Sequence, residues 1–175
     1  PVLKKIELVR LHLEEDAAKN IHQGKNTLVD FNRAGAPLLE IVTQPVLASP
    51  AEAKIFLQEL RLLARYLSIS NADMEKGELR CDANISLRPK GDTKFYPKTE
   101  IKNLNYFKAV ERALEYEIQR QTKLWDKGNP PGILSTRGWD EIKQVTEEQR
   151  VKEAAEDYRY FPEPDLPAFS LKEII

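Results

Sequence analysis

A single cysteine among 175 residues, Cys81, excludes an intrachain disulfide and a thiolate metal cluster, and favours a reducing compartment. Histidine is nearly as scarce: His12 and His22 lack the paired spacing of a zinc site and read as structural or surface residues. Charge of one sign is not in excess, since 27 basic residues face 28 acidic ones and the sequence pI is about 6.3. That balance disfavours non-specific polyanion binding as the main activity. No apolar run approaches the roughly 18 residues that span a bilayer, and no signal-like start is present, so the reading is a soluble, intracellular protein. The glycine-rich loops of P-loop enzymes, kinases and Rossmann folds are also missing, so any nucleotide site must be of another design. The length suits one good core, or one domain with an appendage.

What is present reads as mixed α and β. Residues 5–15 form a strand that runs into the acidic cluster Glu14-Glu15-Asp16, and residues 26–43 form two strands around a turn at Ala34-Gly35-Ala36-Pro37. His22 falls in a polar linker between them. At Ser49-Pro50-Ala51-Glu52 the signals converge on a helix start: an N-cap, a proline at the first helical position and a capping-box glutamate. The helix carries Ala53, Phe56, Leu57, Leu60, Leu63, Ala64 and Leu67 on one stripe, read as core. A second helix after Asn105 carries Phe107, Val110, Leu114, Glu117, Ile118 and Gln121, a stripe that turns polar towards its end. Residues 127–137 are turn-rich, and the prolines at 162, 164 and 167 suggest an extended segment beyond Asp157.

Between the helices, the run Gly77 to Pro89 alternates strictly. Leu79, Cys81, Ala83, Ile85 and Leu87 fall on one side, and Glu78, Arg80, Asp82, Asn84, Ser86 and Arg88 on the other. Cys81 lies on the apolar side and reads as a small buried hydrophobe rather than a nucleophile. A partner strand, Pro97 to Leu104, would place Lys98, Glu100 and Lys102 on one face, paired through the loop at residues 90–96. The polar faces offer hard oxygen ligands for Mg²⁺, namely Glu14, Glu15, Asp16, Glu78, Asp82 and Glu100, beside Arg80, Arg88, Lys98 and Lys102 for phosphate. Residue chemistry alone leaves a metal-dependent nucleotide enzyme and an interaction domain both open.

Seven tracts in this order resemble one family: LHLEEDAAK (11–19), LVDFNRAGAPLLEIV (28–42), the helix begun by Ser49-Pro50, MEKGELRCDANISLRP (74–89), KTEIKNLNYF (98–107), LEYEIQRQ (114–121) and DYRYFPEPDLP (157–167). Together they are similar to the GatB/GatE family, the B subunits of the aspartyl/glutamyl-tRNA amidotransferases. The resemblance implies an α+β catalytic cradle like that of glutamine synthetase and the guanidino kinases, a mixed sheet with flanking helices. It would occupy residues 1–169, with 170–175 leading towards a helical domain. It implies an ATP-dependent carbon–nitrogen ligase with glutamine as amido donor, acting in the cytoplasm with Mg²⁺. The substrate would be mischarged Glu-tRNA(Gln) or Asp-tRNA(Asn), and the partners the amidase and the small third component of a heterotrimeric amidotransferase. The rival reading is a non-catalytic adaptor of the same family.

Carried over by position, Glu15, Asp82 and Glu100 are expected as catalytic and metal-binding carboxylates, and Arg80, Asn84 and Lys102 as ATP or acyl-phosphate contacts. Strand alternation puts Glu14, not Glu15, on the face of Arg10 and His12, so the choice of Glu15 requires a break or bulge there. Asn32, Arg33 and Glu40 read either as part of the family signature or as braces for the turn around Gly35. Three residues depart from the family pattern: Ala18 in place of a glycine, Tyr106 in place of a small serine, and Gly138 within a usual arginine pair. The chain starts and stops mid-pattern, which suggests part of a longer polypeptide. The family's further Glu and His, its cysteine zinc cluster and its tRNA-gripping domains are not among these residues, so the chain alone is expected to be inactive.

Overall fold

The computed structural model describes residues 3–152. The tract from Asp157, its prolines and the boundary at residue 169 lie outside the described residues. The chain divides into two compact units, one ending at Val46 and one beginning at Leu47.

The first unit holds two antiparallel strand pairs. Strand β1 (Leu8–Glu15) pairs with β4 (Pro37–Thr43), and β2 (Lys19–Gln23) pairs with β3 (Asn26–Asp30). The strand at residues 26–30 therefore pairs backward across Gly24, where φ is 59°, rather than forward to β4. His22 lies in β2, not in a linker. The loop after β3 is tied to the end of β1: Asp16 N–H donates to Ala36 O at 2.8 Å, Gly35 N–H donates to Asp16 O at 2.9 Å, and Arg33 Nε lies 2.9 Å from Asp16 Oδ2. Gly35 needs its φ of 76° for that return, a conformation that penalises side chains with a Cβ. Arg33 does brace this turn. Glu40 instead pairs with Arg10, whose Nε donates at 2.7 Å.

In the second unit, α1 (Pro50–Tyr66) begins as the local sequence demands. Ser49 Oγ accepts from Glu52 N–H at 3.2 Å, and Glu52 Oε2 accepts from Ala48 N–H at 2.7 Å. Only Ala53 and Leu57 of its stripe are buried, with Phe56 half-buried against them. Leu63 and Leu67 are 53% and 55% exposed, so the apolar stripe leaves the core in the last turns. Helix α2 (Phe107–Asp126) packs on α1, linked by Lys54 Nζ to Glu111 Oε2 at 2.7 Å. Its stripe is buried through its polar members: Val110, Leu114, Glu117 and Gln121 all lie inside.

A four-stranded mixed sheet completes this unit in the order β5 (Ala83–Ile85), β6 (Thr99–Lys102), β7 (Leu134–Asp140), β8 (Val145–Lys152). Strands β5 and β6 are antiparallel, β6 and β7 are parallel with α2 as the crossover, and β7 and β8 are antiparallel. The core joins Ile101, Leu104 and Trp139 to Ala109, Val110, Ala113 and Leu114 of α2. Two expectations are corrected. The long strand over 77–89 is only three residues of ladder, Ala83–Ile85 against Thr99–Ile101, and its expected start is a turn in which Gly77, at φ 72°, donates its N–H to Met74 O at 3.0 Å. Even so, residues 78–85 keep their alternation, exposed at even positions and half-buried at odd ones. The turn-rich stretch ends sooner than expected, with strand β7 already begun at Leu134.

Candidate active site

Alternation in β6 sends Thr99 and Ile101 into the core against α2 and leaves Glu100 and Lys102 on the opposite face of the sheet. Strand β5 places Asn84 beside Glu100 in register, and Asp82 precedes β5 by one residue on the same side of the alternation. Asp82 and Glu100 converge on one ammonium. Lys102 Nζ lies 2.6 Å from Asp82 Oδ2 and 3.2 Å from Glu100 Oε1. Burial works against the lysine's charge, yet the Asp82 hydrogen bond and the charges of Asp82 and Glu100 outweigh it and raise its pKa above the ordinary lysine value. From the neighbouring strand, Thr136 Oγ1 donates to Glu100 Oε2 at 3.2 Å.

Four of the six expected site residues, Asp82, Asn84, Glu100 and Lys102, are thus brought together. Arg80, two residues before Asp82, is exposed on the same side of the alternation. Glu15 belongs to the first unit, where register runs unbroken from Arg10↔Val42 to Glu15↔Pro37. The irregularity in β1 lies between Leu8 and Arg10, so the bulge expected at Glu15 is not there. Glu14 keeps the half-buried face of His12, while Glu15 shares the exposed face of Leu11 and Leu13.

The donor set suits a hard cation. Among the described residues no three His, Cys, Asp or Glu side chains form a ready metal cluster. Magnesium, however, is held by one or two carboxylates with substrate phosphates completing its shell, not by an all-protein cage. Asp82 and Glu100 already share a cation in Lys102, and the Asn84 amide adds a neutral oxygen on the same surface. Displaced by a metal, the Lys102 ammonium would be free for a phosphate oxygen. Cys81 takes no part: burial and the adjacent Asp82 charge push its thiol to about 12.

On the core side of the same sheet lies a polar network that the sequence reading missed. Glu117, fully buried, accepts from Arg120 Nε and Nη2 at 2.8 Å each and from Gln121 Nε2 at 3.1 Å. Arg137 Nε approaches it at 3.3 Å, and the Thr146 hydroxyl donates to it. The available signal was its phase, in line with Val110 and Leu114. Of the three departures, Tyr106 donates its hydroxyl to Glu141, and Gly138 leaves room for the Gln149 side chain, whose Nε2 lies 2.5 Å from where a Cβ would stand. Ala18 is half-buried between β1 and β2, and nothing in the structure explains its choice over glycine. Among the described residues no helix is long and apolar enough to cross a membrane.

Residues 2–175 match the family profile described as the GatB/GatE catalytic domain. This chain belongs to the GatB/GatE family. Relatives within it are named as the B subunit of aspartyl/glutamyl-tRNA(Asn/Gln) amidotransferase. That of Carboxydothermus hydrogenoformans is 53% identical over 170 residues, covering 94% of this chain and 35% of the relative. That of Gloeothece citriformis is 54% identical over 177 residues, covering 97% and 36%. That of Campylobacter jejuni is 51% identical over 172 residues, covering 97% and 36%. The GatB/GatE match thus confirms the family read from the sequence tracts, while the chain spans only 35% to 36% of the length of these relatives.

Proposed function

We propose that this chain is most of the catalytic domain of a tRNA-dependent amidotransferase component, which uses ATP to activate the side-chain carboxylate of Glu-tRNA(Gln) or Asp-tRNA(Asn). The observation that carries the reading is the cluster of Asp82, Lys102 and Glu100 on an accessible sheet face, in a chain of this family. A carboxylate is a poor acyl donor because its oxygen leaves badly. Conversion to an acyl phosphate removes that obstacle, and ammonia then displaces the phosphate to give the amide. In this scheme ammonia comes from glutamine, hydrolysed by a partner amidase, with a small third protein linking the two in a cytoplasmic heterotrimer. The fold that fits is the glutamine synthetase and guanidino kinase type, with residues 1–169 in the cradle and 170–175 leading out of it.

Asp82 and Glu100 are the residues that would hold Mg²⁺, and Glu15 is assigned the same role on the family resemblance alone. The metal supplies neutralisation of phosphoryl charge during transfer. Lys102 and Arg80 orient the phosphate oxygens, and Asn84 fixes a polar group of the nucleotide or acyl phosphate. The test is ATP-dependent amidation of both mischarged tRNAs by the full-length protein assembled with its amidase and linking partners. Conversion of either substrate supports the proposal and shows which acyl group is used. A properly folded complex that converts neither would favour a non-catalytic adaptor.

A further inference from the structure

We infer that Thr136 is a positioning residue for Glu100, the anchor that keeps this carboxylate aimed when Lys102 releases it. The inference rests on the reading of Glu100 as a metal and phosphate carboxylate. Glu100 is held at both oxygens, by different strands and by groups of different kind. Its Oε1 faces the Lys102 ammonium at 3.2 Å, and its Oε2 accepts from Thr136 Oγ1 at the same 3.2 Å. Lys102 divides its charge with Asp82, which it approaches more closely, at 2.6 Å. A cation held by these carboxylates would compete with that ammonium. It does not compete with a neutral hydroxyl.

Thr136 is built to be the fixed partner. It stands beside Glu100 in register across the parallel β6 and β7 pair and is 2% exposed, whereas the Glu100 side chain is 21% exposed. Water therefore competes poorly for the hydroxyl, and the β-branched side chain is stiff at χ1. The register irregularity at this point places its extra residue, Gln149, on β8, so Thr136 and Arg137 remain consecutive rungs of β7 and keep opposite faces by ordinary alternation. Arg137, on the far side of the irregularity, goes instead to Glu117 and to Thr146, whose hydroxyl accepts from Arg137 Nε at 2.8 Å. One step of β7 thus serves the candidate site on one face and the buried network on the other.

The experiment uses the full-length protein in its assembled complex, with Mn²⁺ as the metal probe and a non-hydrolysable ATP analogue present. Metal binding is read by electron paramagnetic resonance and compared with the Mg²⁺ dependence of amidation. Loss of an outer partner of a metal carboxylate typically weakens affinity or activity by about 10- to 100-fold, and Thr136→Val is expected to fall in that range. Thr136→Ser, which restores the hydroxyl, should recover most of the binding. Ser135→Ala serves as a control for the strand, since that hydroxyl pairs with Thr99 on the other face at 3.1 Å, and it should leave Mn²⁺ binding unchanged. Wild-type Mn²⁺ binding by Thr136→Val, with binding lost in Glu100→Gln, would overturn the role of Thr136 and leave the reading of Glu100 standing. Wild-type binding by Glu100→Gln would overturn both. Equal loss in the Val and Ser variants would show that the hydroxyl is not the cause, and would also overturn it.

Discussion

Replacing Glu117 by Gln removes one buried charge and leaves its shape. The carboxylate is fully buried and receives hydrogen bonds from Arg120, Gln121 and Thr146, with Arg137 close by. Without its charge, Arg137, whose side chain is only 13% exposed, keeps the backbone oxygen of Thr146 at 2.7 Å but loses its closest buried counter-charge. Breaking one side of a buried pair costs about 3 to 5 kcal/mol. Arg120 is 24% exposed and can regain water, which places the expected loss at the lower end, about 3 kcal/mol at pH 7. Against a total stability of about 5 to 15 kcal/mol this is a large fraction. Urea denaturation read by tryptophan fluorescence isolates the relevant unit, because Trp125 and Trp139 both lie in it.

The pH dependence is a second check on the same variant. Burial opposes the charge of Glu117, but the hydrogen bonds from Arg120, Thr146 and Gln121 and the charge of Arg120 prevail, and its pKa is lowered. A carboxylate lowered in the folded state binds more protons when unfolded, so its stabilisation is complete above the unfolded value of about 4.3 and fades as pH falls through the lower folded value. The gap between wild type and Glu117→Gln should hold constant from neutral pH down to the unfolded value and close in more acidic solution. A variant within about 0.5 kcal/mol of wild type at pH 7, the range of a surface substitution, would show that the Glu117 charge does not hold Arg137 in place.

The two ends of α1 should respond oppositely to substitution. Leu57→Ala, at a buried position, should cost about 2 to 5 kcal/mol, whereas Leu63→Glu should stay within about 0.5 kcal/mol in the same urea assay. A costly Leu63→Glu would show that the end of α1 is covered. Cys81, its thiol held near 12, should react with iodoacetamide at neutral pH far more slowly in the native protein than in urea. Equal rates would mean that the thiol is neither buried nor shifted.

The features legible in the sequence are those fixed by near neighbours. Ser49, Pro50 and Glu52 mark the start of α1 within four residues, and the capping contacts form as that local chemistry requires. Alternation on two short tracts is enough to put Asp82 and Asn84 on one face of the first and Glu100 and Lys102 on one face of the second. The register that sets Asn84 against Glu100 emerges only from the strand pairing across the loop at 90–96. Alternation also survives where the ladder does not, since residues 78–82 keep their sides without strand pairing. By contrast, β2 carries one apolar residue, Ile21, in KNIHQ, so no period betrays it. Leu63, on the same stripe as Leu57, is 53% exposed, because helical periodicity fixes a face and not how far along the helix that face is covered. Glu117 and Thr136 gain their meaning from partners remote in sequence: Thr146 lies 29 residues from Glu117, and Glu100 lies 36 residues from Thr136. Glu15 rests on resemblance because strand register places Glu14, and not Glu15, with His12.

If Asp82 and Glu100 serve ATP-dependent activation of an acyl carboxylate, as proposed, phosphoryl transfer is the step that depends on them. In the full-length complex, with γ-labelled ATP and mischarged tRNA but no amido donor, label transfer should be lost in Asp82→Asn and in Glu100→Gln. In a separate assay with glutamine supplied, its hydrolysis by the partner should remain measurable in both. Transfer at the wild-type rate by both variants would exclude these two carboxylates from the phosphoryl-transfer step.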